Sequence, residues 1–227
     1  MKIVLTNDDG FDAPGLEALL DAVRVYADPV ILAPETAQSG VGHQVTTHAP
    51  LAVKRRDENV YSVGGTPADC VRLAVKMIAP DAAWLIAGIN PGANLGSDIY
   101  QSGTVAAARE AAILGYRAMA VSQYIARDCR IDWEVTGRCA GAIVGMLLDR
   151  NLPAGCYWNI NLPHPLDRHA RIRHRFCDPD TNPHRYTYNR DNDIFTYAGT
   201  IHERPRDPER DVAVCFGGEV SISCIAL

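Results

Sequence analysis

Five short apolar runs, each stopped by polar or turn-forming residues and separated by helix-period segments, constrain this chain more than any other feature. Lys2 to Thr6, Val30 to Ala33, Trp84 to Ala87, Ala118 to Ser122 and Trp158 to Pro163 read as strands with little polar character on either face. Between them lie amphipathic patterns. Leu16, Leu19, Leu20 and Val23 share one helical face, as do Val71, Ala74, Val75 and Ile78, and later Val135, Cys139, Ala142, Ile143 and Met146. The Ala-rich stretch from Thr104 to Leu114, closed by Gly115, makes a further helix. Strands buried on both faces and joined through helices predict right-handed βαβ crossovers and a mostly parallel sheet flanked by helices. The expected class is therefore α/β and Rossmann-like.

Helix starts are legible too. Asp12 is placed to cap the first helix, with Pro14 in its first turn. Thr66-Pro67-Ala68-Asp69 has the form of a capping box, with Thr66 as cap and Asp69 returning a bond. The periodicity fails between about 164 and 211. There the chain predicts an irregular excursion with a hairpin built from Tyr186 to Tyr188 and Ile194 to Tyr197, after which Val212 to Phe216 and Glu219 to Ile225 return as strands. The expected organisation is an α/β catalytic core over residues 1–165 and an extension over 166–227.

Composition narrows the partners. A formal charge of -5 argues against a nucleic-acid polymer but leaves room for a small anion at a locally positive site. The N-terminal residues hold no apolar run suited to a signal peptide or membrane span, so the expected location is cytoplasmic, away from the membrane. Seven scattered cysteines with no C-x-x-C pair read as reduced, mostly buried thiols. The arginines at 168, 171, 173, 175, 185 and 190 form either a charged surface or an anion-attracting rim.

In open α/β sheets ligands bind beyond the carboxyl ends of the strands, which directs attention to four polar loops. They are Asn7-Asp8-Asp9-Gly10, Gln38-Ser39-Gly40, Gly88-Ile89-Asn90 through Gly96, and Gln101-Ser102-Gly103-Thr104. Asp-Asp-Gly is also a common turn, but two adjacent carboxylates repel one another unless a proton or cation lies between them. Ser39 and Asn90 sit at equivalent strand ends. An all-oxygen set of Asp8, Asp9, Ser39 and Asn90 suits Mg²⁺ or Mn²⁺ and not a dedicated zinc site. Ser102-Gly103-Thr104 directly precedes a helix, where amides and hydroxyls either receive phosphate or merely cap the helix. His43, in the loop after Ser39, is either a substrate contact or a solvated loop residue. Gly40-Val41-Gly42 lacks the third glycine of a dinucleotide fingerprint, and neither a Walker lysine nor an H-E-x-x-H motif occurs.

Taken together, TNDDG at 6–10, SG at 39–40, GTPADC at 65–70, AGIN at 87–90, GANLG at 92–96, SGTVAAA at 102–108 and NINLP at 159–163 resemble the SurE family of 5′/3′-nucleotidases. The likeness spans roughly residues 1 to 165 with order and spacing preserved. It implies divalent-metal-dependent hydrolysis of nucleoside 5′(3′)-monophosphates, with a side activity on polyphosphate in some members. One cation per subunit, Mg²⁺ or Mn²⁺, would be held by Asp8, Asp9, Ser39 and Asn90, and phosphate by Asn94, Ser102, Gly103 and Thr104. Asp8 and Asp9 would be the catalytic pair. The resemblance also implies a homodimer or homotetramer built through the hairpin and C-terminal segment. Family members usually continue into a C-terminal helix beyond the position of Leu227. A covalent mechanism with Asp8 as nucleophile is disfavoured because Gly10 stands where a second Asp is needed. A nucleotide-binding module without turnover remains the alternative from another class.

Overall fold

The computed structural model describes residues 1–166 and 171–227, so Arg168 of the basic stretch lies outside the described residues. The chain begins with β1 (Lys2–Thr6), α1 (Pro14–Val23), β2 (Asp28–Pro34), β3 (Val53–Asp57) and β4 (Val60–Val63). Helix α2 (Pro67–Leu73) runs into a π-helical turn at Ala74–Ile78, followed by β5 (Trp84–Pro91), a 3-10 turn at Gly96–Tyr100 and α3 (Gly103–Ile113). Then come β6 (Arg117–Gln123), α4 (Trp133–Leu148) and β7 (Cys156–Leu162). The remainder supplies β8 (His174–Phe176), the hairpin β9 (Thr187–Asp191) and β10 (Ile194–Ala198), a 3-10 turn at Ile201–Glu203, α5 (Asp211–Phe216) and β11 (Val220–Ala226).

Among the described residues nine strands form one sheet in the order β3-β4-β2-β1-β5-β6-β7-β11-β8. Its centre is parallel, from β4 through β2, β1, β5 and β6 to β7; β3 pairs antiparallel with β4, and β11 antiparallel with β7. The alternation of side chains distributes the core into two layers. Ile3, Leu5, Ile86 and Val121 face α1 and α4, packing on Leu16, Leu19, Ile143 and Val144. Val4, Leu32, Leu85 and Ala120 face α2 and α3, packing on Val71, Val105 and Ala108. Each fully buried Leu or Ile contributes about 1.5–3 kcal/mol relative to exposure, so these two layers dominate the stability of the sheet. Because all the central strands point the same way, their carboxyl ends align along one rim, and the polar loops collect there.

Several expectations need correction. Asp12 does not cap α1: Ala13 occupies the N-cap and no side chain closes that end. Residues 212–216 are helical, not a strand. An apolar run this short cannot be assigned by periodicity, and the deciding signals are Asp211 at its start and Gly217-Gly218 at its end. Strands β3 and β4 went unrecognised because Val53–Asp57 is exposed throughout and shows no alternation. The thiols are less buried than expected: Cys70, Cys139 and Cys215 are buried, Cys129 and Cys224 exposed, and all seven are free. The extension beyond residue 165 places β8 and β11 in the main sheet, while the β9–β10 hairpin stands as a separate two-stranded sheet with exposed Tyr188, Ile194, Phe195 and Tyr197. No helix among the described residues is long and apolar enough to cross a membrane.

Candidate metal and phosphate site

Asn7 shapes the turn that follows β1. Its Nδ2 donates to the Gly10 carbonyl at 2.8 Å and its Oδ1 accepts the Gly10 N–H at 3.2 Å, closing a loop around Asp8 and Asp9. The Asp8 carbonyl accepts the Gln38 N–H at 2.7 Å, which brings the loop after β2 alongside. At the end of β5 the Asn90 Nδ2 donates to the Gly92 carbonyl at 2.6 Å, leaving Oδ1 as the side chain's unspent acceptor. Asp8, Asp9, Ser39 and Asn90 consequently line one cavity of about 320 Å³, together with Asn94, Asp98, Gln101 and Ser102.

Asp8 is nearly fully buried, and the Thr104 hydroxyl donates to its Oδ1. Gly103 is required at this point: a Cβ there would lie 2.9 Å from the Asp8 Cβ and 3.1 Å from its Oδ2. The start of α3 is thus pressed against the carboxylate. Burial raises the Asp8 pKa despite the Thr104 bond, and burial followed by repulsion from Asp8 raises Asp9 to about 6. Both shifts express the same physical fact. Two carboxylates have been desolvated side by side without a compensating charge.

Asn94 is held from three sides. Its N–H donates to Asn161 Oδ1 at 2.7 Å, its Nδ2 donates to Ser122 Oγ at 2.8 Å, and its carbonyl accepts from Asn159 and Asn161 Nδ2 at 2.9 and 3.1 Å. The two asparagines on β7 therefore act as a backbone clamp for the loop after β5. Ser102 caps α3, accepting the Val105 N–H at 3.1 Å. The partial positive charge of an eleven-residue helix is directed at the cavity.

The expected residues divide by position. Asp8, Asp9, Ser39, Asn90, Asn94 and Ser102 reach the cavity wall. Thr104 stands behind Asp8 and Gly103 beside it, so the Thr104 hydroxyl holds the carboxylate instead of facing the cavity. His43 is not part of the cavity wall: its Nε2 lies 2.8 Å from Oε2 of Glu110 on α3. Sequence reasoning missed Asp98 and noted Gln101 only as the first residue of a polar loop. Asp98 is paired with Arg204 at 2.5 Å and His184 at 2.8 Å. Its only sequence signal is its place in the turn between two already noted loops.

The donor chemistry fits a hard divalent cation. The cavity offers two carboxylates without a cationic partner, a hydroxyl and an amide oxygen, from the loops that follow β1 and β2 and from the end of β5, and among the described residues no Lys, Arg or His side chain lines it. Among those residues no cluster of three or more His, Cys, Asp or Glu side chains could hold an ion, so the set depends on the neutral oxygens of Ser39 and Asn90.

Comparison with known proteins bears on the family and the fold. Residues 3–183 match the family described as survival protein SurE. A protein of Synechocystis sp., provisionally named a 5′-nucleotidase, is 44% identical over 223 residues, covering 98% of each chain. The 5′-nucleotidase SurE of Moorella thermoacetica is 33% identical over 240 residues, covering 100% of this chain and 90% of that one. The crystal structure of the SurE protein from Aquifex aeolicus superposes with a TM-score of 0.88 at 30% identity, covering 100% of this chain and 93% of that one.

Proposed function

The chain belongs to the SurE family, and from that premise we propose that it hydrolyses nucleoside 5′(3′)-monophosphates to nucleoside and phosphate, with one divalent cation, Mg²⁺ or Mn²⁺, per subunit. One observation carries the reading. An acidic cavity without a basic side chain opens at the N-terminal end of α3, so an anion enters only when a cation offsets Asp8 and Asp9.

Asp8, Asp9, Ser39 and Asn90 would hold that cation. When bound, it would supply activation of a water and neutralisation of phosphate charge. The chain's own groups do the rest. Thr104 fixes the Asp8 carboxylate by its hydrogen bond, and Asp9, the more open of the pair, orients the attacking water. Ser102, Gly103 and the first turn of α3 present hydroxyl and amide donors to the phosphate oxygens, and Asn94, clamped by Asn159 and Asn161, keeps the opposite wall in place.

Phosphate release from a panel of nucleoside monophosphates and polyphosphate, assayed with Mg²⁺, with Mn²⁺ and after EDTA treatment, tests the reading. Chelation is expected to reduce release to background and either added metal to restore it. Undiminished turnover after exhaustive chelation would count against the cation, and nucleotide binding without release at saturating metal would favour a module without catalysis.

The exposed β9–β10 hairpin supports assembly into a homodimer or homotetramer. Its aromatic and aliphatic side chains form an apolar surface with Tyr188 and Tyr197 in edge contact at 6.1 Å, of the kind that marks association. Replacing residues 187–198 with a short Gly-Ser turn is expected to yield monomers by light scattering. Persistence of the parent mass would remove the hairpin from the interface. Seven free thiols suit the reducing conditions of the cytoplasm, where we place the protein.

A further inference from the structure

Glu110 has no part in the chemistry above, yet it is 2% exposed and ionisable in the middle of α3. A buried carboxylate costs several kcal/mol unless it is paired on both oxygens, on the order given for desolvated ions. Here both are. Arg72 of α2 donates through Nε to Oε1 at 2.5 Å, and His43 Nε2 meets Oε2 at 2.8 Å. The Arg109 guanidinium faces His43 Nδ1 at 3.4 Å, so that nitrogen accepts and Nε2 carries the proton toward Glu110.

The consequence lies in the loop between β2 and β3. At one end Gln38 is held by the Asp8 carbonyl at 2.7 Å; further on, the Gln44 carbonyl accepts from Thr66 Oγ1 at 2.6 Å. Between those anchors Ser39, Gly40, Val41 and Gly42 have no regular structure, and Gly40 and Gly42 both take positive φ, 72° and 60°. Among the described residues, the hydrogen bonds that tie this stretch to α3 run through His43. Ser39, four residues before it, is exposed at the cavity mouth.

We propose that His43 is a positioning residue: clasped by Glu110, it holds the Ser39 loop across the cavity so that the serine oxygen completes the cation's ligand set. This rests on the cation reading above, but the clasp itself is a property of the chain without metal. Arg72 and Arg109 serve it by holding the carboxylate and the ring.

Two variants test it, His43→Ala and His43→Gln, whose amide nitrogen falls near the place of Nε2 and can donate to Glu110. Amide hydrogen exchange over residues 39–43 is measured without metal, Mn²⁺ affinity by calorimetry, and turnover at rising Mn²⁺. His43→Ala is expected to exchange faster there and to bind Mn²⁺ about tenfold or more weakly, the scale of losing a supporting contact behind a ligand. Saturating Mn²⁺ should then restore most of its turnover, and His43→Gln should resemble the parent in all three. Parent-like exchange in His43→Ala overturns the clasp, and turnover that saturating Mn²⁺ fails to restore makes His43 more than a positioning group. If the parent itself binds no Mn²⁺, the cation reading fails while the exchange measurement still decides the clasp.

Discussion

Asp8→Asn is expected to lower phosphate release from nucleoside monophosphates by at least about a hundredfold, the scale of removing one preorganised electrostatic group from a reaction centre. The substitution is nearly isosteric, and the asparagine Oδ1 can still accept from the Thr104 hydroxyl, so the contact behind the site survives. What disappears is charge. The metal-free variant should melt no lower than the parent, because a carboxylate whose pKa burial pushes upward is replaced by a neutral amide. Thr104→Val probes the same carboxylate from the other side. It keeps the shape, removes the hydrogen bond, and should cost about tenfold in turnover, as supporting contacts commonly do. Turnover of Asp8→Asn within a few-fold of the parent, at saturating metal and with its fold intact, would sink the assignment of Asp8.

The sheet was legible because its central strands are buried on both faces and separated by helices of sufficient length. Ile3-Val4-Leu5 and Leu85-Ile86-Ala87 send alternate residues into different core layers, so both parities had to be apolar. The edges were not legible for the complementary reason. Val53–Asp57 is an edge strand whose residues are all exposed, paired to β4 and tied beyond it by the ion pairs of Lys54 and Arg56 with Glu35, none of which shows in an apolar pattern. The loops of the site could be located from the rule that parallel strands present their carboxyl ends together. Which face of each residue meets the cavity could not. Thr104 and Ser102 are two residues apart at a helix start, and only the packing of Gly103 on Asp8 decides that one hydroxyl faces the cavity while the other stands behind the carboxylate. Glu110 was invisible as a functional residue because an acid in an alanine-rich helix reads as a solvated face until its partners on α2 and in the Ser39 loop are known.

The largest effect on stability is expected from Asp69→Asn. Asp69 is fully buried and its carboxylate accepts three hydrogen bonds: Oδ1 from the Thr46 N–H at 2.8 Å, and Oδ2 from Thr46 Oγ1 at 2.8 Å and from the Thr66 N–H at 3.0 Å, the last closing the capping box in which the Asp69 N–H donates to Thr66 Oγ1. An amide in its place can satisfy the donors on one oxygen only, and its NH₂ must face an N–H or hydroxyl on the other. Loss of the cap together with a buried unsatisfied donor should cost about 2–4 kcal/mol, or about 5–15 °C in Tm for a chain of this length. The pH dependence follows from the same bonds. Burial alone would raise the Asp69 pKa, but the bonds from Thr46 and Thr66 outweigh it and hold the carboxyl below its ordinary value of 3.8. A lowered folded-state pKa stabilises the fold above the unfolded value and loses that contribution as pH falls through the folded one. The gap in Tm between parent and Asp69→Asn should therefore be full at neutral pH and narrow below 3.8. A gap that stays constant into strong acid would mean that packing, and not the charged acceptor, accounts for the loss. Because Thr46 lies just beyond the Ser39 loop, the same variant should also loosen the far anchor of that loop and weaken Mn²⁺ binding in parallel with stability.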